Sequence, residues 1–330
     1  MEILYTCDNN YVWLMGISII SLFENNKDLS SINVYLLGDE ITDSNIDILT
    51  NIGKRYNRKI TVINVQAFEI PDTLLEGRWP QSAFIRLYAS QFLPSNLEKI
   101  LYLDCDTIID GSIRELADVE LGDNLIFGIK DCIGKKYKEN IGLDPEGIYV
   151  NAGVLLLNLK LLREMDVSTE IDKYMTKYLK YINYADQDIL NGVFKDKIGI
   201  LNPKYDVMTI DVVHSYSEIL ALRKPTNFYS EQELAVAIDN PTIVHYTTNM
   251  IVVRPWFSNS DHPLKDLFYK YAAISPWVDK KYPVMVFSSK EAKIIRIVNK
   301  LPHKMSIHIL GVMHSLLKPN YIRIKAKMKK

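Results

Sequence analysis

The chain has 330 residues, of which 48% are hydrophobic and 24% charged, a composition typical of a soluble globular protein. No apolar run reaches the roughly 18–20 residues that a membrane-spanning helix needs, and the start MEILYTCDNNY does not match a secretory signal peptide. The three cysteines, Cys7, Cys105 and Cys132, have neither metal-site spacing nor an even number, so we predict a reducing, cytoplasmic location.

The first 200 residues alternate between strand and helix patterns. EILYT, SINVYLLG and KITVINV are predicted as strands, with helices over about 11–23 and in DSNIDILTNIG. SAFIRLYASQF is predicted as a helix that buries Phe84, Leu87 and Tyr88, which leaves Arg86 on the solvated side. KILYLD, NLIFGIK and YVNAGVLLLNL follow as further strands. This alternation predicts an α/β fold, with a largely parallel sheet and helices on both faces.

The second half of the chain divides less regularly. Residues 159–195 are predicted as mainly helical, 201–241 as irregular, and TIVHY at 242–246 as a late strand. The composition then changes to short basic amphipathic helices. We therefore expect a main domain over 1–275 and a basic helical extension over 276–330.

The net charge of −1 conceals a strongly basic C-terminus. Residues 290–330 contain eleven Lys or Arg against one acid, a net charge of +10, which leaves −11 for residues 1–289. Such a segment favours an anionic surface, so we expect a peripheral contact with the inner face of the plasma membrane. A solvated helical cap or a disordered tail would have the same composition. No nucleic-acid partner is predicted.

Two aspartates, Asp104 and Asp106, end the apolar strand KILYLDCD. Alternate side chains of an extended segment point the same way, so these carboxylates repel each other, and one takes up a proton unless a cation joins them. Oxygen ligands favour Mg²⁺, Ca²⁺ or Mn²⁺, and a nitrogen ligand from His245 would favour Mn²⁺. The alternative is that both aspartates only end the strand and begin a turn. From the pattern alone, both interpretations stay open.

The stretch LYLDCDTII also resembles the first motif of haloacid-dehalogenase-type phosphatases, in which one aspartate is the nucleophile. That motif normally stands on the first strand, whereas three strand–helix units precede it here. No Gly-Asp-x-x-x-Asp motif follows this stretch in the sequence either. The phosphatase alternative is therefore disfavoured.

Six blocks in order carry a more specific resemblance: the Asp8–Tyr11 loop, Arg86, LYLDCD, YVNAGVLLLNL, YADQDILNGVF and IVHYT. Over residues 1 to about 256 they resemble glycosyltransferase family 8, retaining enzymes that include glycogenin and bacterial lipopolysaccharide galactosyl- and glucosyltransferases. The resemblance implies a single Rossmann-like nucleotide-sugar-binding domain of the glycosyltransferase A type over 1–275. It also implies transfer of galactose or glucose from a UDP-sugar to an acceptor hydroxyl on a saccharide, lipid-linked glycan or glycoprotein, forming an α-linkage.

The same resemblance gives roles to individual residues. It implies that the loop after the first strand holds uracil and ribose, and that later stretches hold the sugar and diphosphate. Asn151 and Gly153 are expected to precede their strand. The implied donor-binding residues are Thr6, Asp8, Asn10, Tyr11, Arg86, Asp104, Cys105, Asn151, Ala152, Gly153 and Arg254. The implied ligands of Mn²⁺, or of Mg²⁺ in its place, are Asp104, Asp106 and His245.

Asp186 and Gln187 match the family pair beside the transferred sugar, which implies Asp186 on a hydroxyl and Gln187 near the anomeric carbon. Asp188 is predicted to support the start of its helix. Because an amide is a weak nucleophile, we favour attack on the leaving-group face. One motif departs from the family: HYTTNMIVVRPW has Thr248 in place of Gly, and Arg254 stands three residues later than the usual Lys. The departure leaves a second interpretation, a degenerate protein that binds UDP-sugar without turnover.

Overall fold

The computed structural model describes residues 1–65, 84–298 and 300–328. Its larger sheet contains seven strands: β1 (Glu2–Asp8), β2 (Asn33–Asp39), β3 (Lys59–Asn64), β4 (Lys99–Leu103), β6 (Ile126–Lys130), β7 (Val150–Asn158) and β8 (Ile198–Ile200). Their order is β3-β2-β1-β4-β7-β6-β8. A second sheet is formed by β5 (Thr107–Ile109), β9 (Val207–Met208) and β10 (Ile243–His245). In this sheet β10 lies in the middle.

The helices that the structure describes are α1 (Val12–Asn25), α2 (Asp43–Arg55), α3 (Ala89–Phe92), α4 (Arg114–Ala117), α5 (Lys135–Asn140), α6 (Leu159–Glu164), α7 (Val167–Tyr178), α8 (Ala185–Phe194), α9 (Thr209–Val213), α10 (Tyr216–Arg223), α11 (Glu231–Asp239), α12 (Lys265–Ala272), α13 (Ser289–Val298), α14 (His303–Val312) and α15 (Lys318–Met328). A π-helical turn over Met313–Leu317 joins α14 to α15. No helix within the described ranges combines the length and apolar character required to span a bilayer.

The sheet is mixed, and its one reversed strand positions the site. Strands β3, β2, β1 and β4 run parallel, β7 runs antiparallel between β4 and β6, and β8 is parallel to β6. Alternate residues of β1 enter different cores, Leu4 on one face and Ile3 with Tyr5 on the other, so apolar side chains cover both faces. The predicted α/β architecture is confirmed.

Because β7 is reversed, its first residues lie beside the carboxyl end of β4. The backbone N–H of Asp104 donates to the carbonyl of Gly153 at 2.8 Å. Asn151 and Gly153 therefore lie inside β7, and the expectation that they precede the strand is wrong. The continuous apolar run after them is the buried remainder of the same strand.

Two helix predictions need correction. The segment 201–241 was expected to be irregular, but it contains α9, α10 and α11. Ser215 and Ser230 each begin a helix with a capping box, in which the glutamate three residues later bonds back to the serine N–H. The Ser-x-x-Glu spacing was a local signal for both helices.

The helix predicted around Arg86 is shorter in the structure. Of the predicted helix over 82–92, Ser82 and Ala83 lie outside the described residues. The remainder forms a 3₁₀ turn, Ile85–Tyr88, followed by the single turn α3. The Arg86 side chain is only 11% exposed, so its predicted solvation is wrong. Elements this short do not keep the 3.6-residue period on which the prediction relied.

Candidate active site

Asp104, Asp106 and His245 place candidate ligand atoms within 4.8 Å of one another. Asp104 follows β4, Asp106 precedes β5, and His245 ends β10, where it pairs with Thr107 of β5. His245 Nε2 lies 3.1 Å from Asp106 Oδ1 and 3.7 Å from Asp104 Oδ2. Two carboxylates and one imidazole are a donor set that suits a divalent ion of the Mn²⁺ type. These residues fit the expected cation.

The imidazole of His245 is oriented by Asp206, which the sequence did not indicate. His245 Nδ1 lies 2.9 Å from Asp206 Oδ1, and the Asp206 side chain is fully buried. A carboxylate behind a histidine fixes the ring and directs the other nitrogen to the ion. Burial alone lowers the pKa of His245, but Asp106 and Asp206 raise it well above its ordinary value.

Gly153 gives the imidazole its space. A Cβ at this position would lie 2.2 Å from His245 Cε1 and 2.7 Å from Nδ1, distances that no packed carbon tolerates. The side chain of Asn151 turns back and accepts from the Gly153 N–H at 2.7 Å. The glycine is therefore required by the packing of His245.

Gly153→Ala is expected to displace His245 and to weaken Mn²⁺ binding about tenfold or more, the usual effect of disturbing a residue behind a metal ligand. Mn²⁺ titration followed by calorimetry measures the change. Gly122→Ala is the control, because Gly122 has a φ of +52° and open space around it. Gly122→Ala should lower the Tm, because alanine is strained at this φ, and should leave the Mn²⁺ affinity unaltered. Equal affinities in both variants would mean that Gly153 has no influence on the cation site.

Arg86 connects the cation site to α8. Its Nη1 lies 2.9 Å from Asp104 Oδ1 and donates to the Ala152 carbonyl at 2.8 Å. Its Nε lies 3.0 Å from Asp186 Oδ2. The guanidinium stacks 4.4 Å from the centre of the Tyr102 ring. Four residues from three regions of the chain thus hold the buried guanidinium of Arg86 in place.

Cations of the chain itself balance the aspartate pair. Arg86 neutralises Asp104, and Arg254 Nη1 lies 3.6 Å from Asp106 Oδ2. Burial raises the pKa of Asp106, but the charges of His245 and Arg254 outweigh burial and hold that pKa below its ordinary value. The cation that the aspartate pair was expected to need is therefore supplied, for Asp106, by side chains of the chain itself.

Asp186 is different, because burial raises its pKa to about 6 while Arg86 opposes the rise. In the unfolded chain the pKa is near 3.8. The folded chain therefore binds this proton more tightly, and the contribution of Asp186 to the free energy of unfolding is full below pH 3.8 and lost as the pH rises through 6.

Asp186→Asn mimics the protonated carboxyl, so we expect this variant to be more stable than the original chain near pH 8. A shift from 3.8 to about 6 corresponds to about 3 kcal/mol at most, and the difference should shrink as the pH falls to about 5. Urea unfolding at both pH values measures it. Asp123→Asn, at an exposed position, should show no pH-dependent difference. If Asp186→Asn differed from the original chain by the same free energy of unfolding at both pH values, folding would not raise the pKa of Asp186.

Gln187 lies in the first turn of α8 with both ends of its amide bonded. Oε1 accepts from the Ala152 N–H at 3.1 Å, and Nε2 donates to Asp131 Oδ2 at 2.8 Å. Asp188 accepts from the N–H groups of Asn183 and Tyr184, so its predicted support of the helix start is confirmed.

The loop after β1 lies at the same edge of the sheet as Asp104, at the carboxyl ends of β1 and β4. Asp8 Oδ1 accepts from the N–H groups of Asn10 and Tyr11 at 2.8 and 3.2 Å, so this carboxylate closes the turn before α1. The Tyr11 side chain is 47% exposed. Thr6 and Cys105 are buried beneath the loop, and the Cys105 thiol contacts the Thr6 carbonyl at 3.5 Å.

Three residues of the site were not predicted from the sequence. Tyr102 OH donates to Asp104 Oδ1 at 2.5 Å. The two-residue period of β4 placed Tyr102 on the same face as Asp104, which was a usable signal. Asp131 and Asp206 come from distant segments and had no local signal.

The mixed sheet, with Asp-x-Asp at the end of β4 and a histidine from the second sheet, is a glycosyltransferase A type fold. The solved structure of galactosyltransferase LgtC, in complex with donor and acceptor sugar analogues, superimposes with a TM-score of 0.67 over 89% of this chain and 99% of LgtC, at 23% identity. The model of glycosyl transferase family 8 matches residues 2–260, and the chain belongs to that family. Membership of this family rules out the haloacid-dehalogenase-type phosphatase alternative.

Two relatives agree with this assignment. A lipopolysaccharide 1,2-glucosyltransferase of Escherichia coli is 26% identical over 280 residues, which cover 83% of this chain and 78% of the relative. A Haemophilus influenzae protein whose name places it among the glycosyltransferases is 29% identical over 218 residues. That alignment spans 64% of each chain, a little under two thirds of the relative's length.

Proposed function

We propose that the chain transfers glucose or galactose from a UDP-sugar to an acceptor hydroxyl on a saccharide or lipid-linked glycan, with Mn²⁺ and with retention of configuration. The observation that carries the proposal is the Asp104–Asp106–His245 cluster, whose ligand atoms lie within 4.8 Å of one another. A divalent ion held there would supply positive charge for the leaving diphosphate. Relatives named as glucosyl- and galactosyltransferases support both hexoses as candidates.

Donor binding would use residues on both sides of the cation site. Arg254 lies beside Asp106, and its guanidinium is 4.7 Å from the centre of the Trp256 ring. This position supports Arg254 as the replacement for the family's phosphate-binding lysine, since a guanidinium binds phosphate oxygens in pairs. The exposed ring of Tyr11 offers a stacking surface for uracil.

The sugar would lie between β7 and α8. Arg86 orients the carboxylate of Asp186, and this contact supports Asp186 as the group that accepts from a sugar hydroxyl. The Gln187 amide is neutral and bonded at both ends, which supports attack from the leaving-group face. The acceptor oxygen then bonds to the anomeric carbon as the bond to the phosphate oxygen breaks, and the acceptor proton passes to that phosphate oxygen. A glycosyl adduct trapped on Gln187 or Asp186 would contradict this mechanism.

A second candidate is UDP-sugar binding without turnover, which the altered HYTTNMIVVRPW loop favours. A screen of UDP release across UDP-sugars, with Mn²⁺ and without an acceptor, separates the two. A transferase slowly hydrolyses its donor and so identifies it. Binding without UDP release from any donor would favour the second candidate. The proposal covers residues 1–275 as the catalytic domain, with 276–330 as its helical extension.

We also propose that α14 and α15 contact an anionic membrane at its inner face. One face of these helices and of the π-helical turn between them is exposed and apolar at every third or fourth position: Met305, Ile309, Met313, Leu317, Tyr321, Ile324 and Met328. Lysines and arginines flank this apolar stripe, the pattern of helices that lie in a membrane interface.

Leu317→Ser combined with Ile324→Ser is expected to lower binding to anionic vesicles about tenfold, because both side chains are more than half exposed and would be buried only in lipid. Co-sedimentation with vesicles measures the bound fraction. Val236→Ser, which removes an exposed apolar side chain on α11, is the control. Unchanged sedimentation of the double variant would refute membrane contact through this face.

A further inference from the structure

A second group of metal-ligating side chains lies outside the candidate active site, where the C-terminal helices meet α10. His214 stands between α9 and α10, Glu218 lies in the first turn of α10, and His303 begins α14. The carboxylate of Glu218 lies between the two imidazoles. Its Oε1 is 2.6 Å from His303 Nε2, and its Oε2 is 3.7 Å from His214 Nδ1. We call these three residues the His–Glu–His group.

His214 has a buried nitrogen without a hydrogen-bond partner. Its side chain is only 6% exposed, and no described residue bonds to its Nδ1. Glu218 Oε2, at 3.7 Å, is too distant for a hydrogen bond and already accepts from the Ser215 N–H at 3.0 Å. Burial lowers the pKa of His214, so its imidazole is neutral and one ring nitrogen keeps a lone pair. A buried polar atom in this state is costly unless a ligand satisfies it.

Two imidazoles and one carboxylate are a ligand set that holds Zn²⁺ in proteins, with water as the fourth ligand. Imidazole nitrogens suit Zn²⁺, whereas Mg²⁺ and Ca²⁺ prefer oxygen ligands. Metal–ligand distances of roughly 2.0–2.2 Å put the ligand atoms of a tetrahedral site roughly 3.3 Å apart. The two distances from Glu218 to the histidines lie on either side of this value. His214 also lines a cavity of about 540 Å³, which gives the ion and a water molecule access.

His303 has the freedom that closure of this site requires. Within the described residues, only the candidate active site already holds three ligand atoms within 4.8 Å of one another. The His303 side chain is 71% exposed at the first residue of α14, so its ring can turn without disturbing packed neighbours. A bound ion would therefore draw His303 towards His214, while the buried His214 stays in place.

We propose that His214, Glu218 and His303 bind Zn²⁺, and that the ion fastens the start of the C-terminal helices to α10. A small apolar cluster already packs α10 against α14 beside these residues. An ion that binds only the folded arrangement stabilises it by mass action. The proposal goes beyond the transferase function and does not depend on it.

The test is a Zn²⁺ titration by calorimetry of the full chain without a polyhistidine tag, whose imidazoles would compete. All chains carry Asp106→Ala, because the candidate active site would also bind Zn²⁺. We expect His303→Gln to weaken Zn²⁺ binding about tenfold or more, since a ligand is lost at an exposed position where folding is not at risk. His308→Gln, at an exposed histidine on the same helix, should leave the affinity unchanged within about twofold.

Two further measurements separate a bridging ion from adventitious binding. Zn²⁺ should raise the Tm of the Asp106→Ala chain more than that of the same chain with His303→Gln. His214→Gln should weaken Zn²⁺ binding as strongly as His303→Gln, with circular dichroism as the check on folding. Equal Zn²⁺ affinity with and without His303→Gln would overturn the inference, as would an equal loss in His308→Gln. UDP release by the original chain tests the transferase function separately, so either proposal can fail alone.

Discussion

Asp106→Ala is expected to lower Mn²⁺-dependent UDP release about a thousandfold or more. Asp106 lies 3.1 Å from His245 Nε2 and belongs to the three-residue cluster, so its loss leaves two candidate ligands. A cation that balances charge on a leaving group supplies several kcal/mol of transition-state stabilisation, and each 1.36 kcal/mol corresponds to a tenfold change in rate. Initial rates of UDP release, with the preferred UDP-sugar and saturating Mn²⁺, measure the effect.

Two controls make this result specific. Asp123→Ala removes an exposed aspartate from a surface turn and should retain the original rate. Mn²⁺ titration of Asp106→Ala should show weakened binding in parallel with the lost rate. If the variant released UDP at the original rate with the same Mn²⁺ dependence, the catalytic ion would have to lie elsewhere.

Arg86→Met is expected to lower the free energy of unfolding by about 3–5 kcal/mol. The substitution leaves the carboxylates of Asp104 and Asp186 without the cation that lies 2.9 and 3.0 Å from them. Breaking one partner of a buried ion pair is costly, because the remaining charge stays out of water without compensation. Urea unfolding near pH 8 measures the loss.

The matched control is Arg114→Met, which breaks an ion pair with Asp28 whose side chains are more than half exposed. Its expected effect on the free energy of unfolding is small, because solvent screens an exposed ion pair. Adding Asp186→Asn to Arg86→Met should recover part of the lost stability, because one of the uncompensated charges is removed. Equal losses in Arg86→Met and Arg114→Met would show that the buried network contributes no more than a surface ion pair.

The sequence was most informative where local pattern and tertiary position coincide. The apolar run of β4 predicted a strand, and its two-residue period placed Asp104 and Asp106 together at its end. Asp188 was predicted as a helix-start residue for a similarly local reason, and the structure confirms it.

The features that could not be predicted from the sequence have two physical causes. Arg86 lies in a 3₁₀ turn that does not follow a helical period, so its burial could be learned only from its partners. Asp206 and Asp131 reach His245 and Gln187 across 39 and 56 positions, and no local pattern encodes such contacts. The missed helices of 201–241 were a different case, since their capping boxes were present in the sequence.

The pairing of β5 with β10 also sets when the cation site can form during folding. It joins Thr107 to His245, so the third ligand arrives only after a loop of more than a hundred residues has closed. Long-range closure of this kind is slow compared with helix formation. We therefore expect refolding chains to regain helical circular dichroism before they take up Mn²⁺. A nascent chain that ends before β10 would display the aspartate pair without the histidine, so we expect metal capture only after β10 has paired with β5.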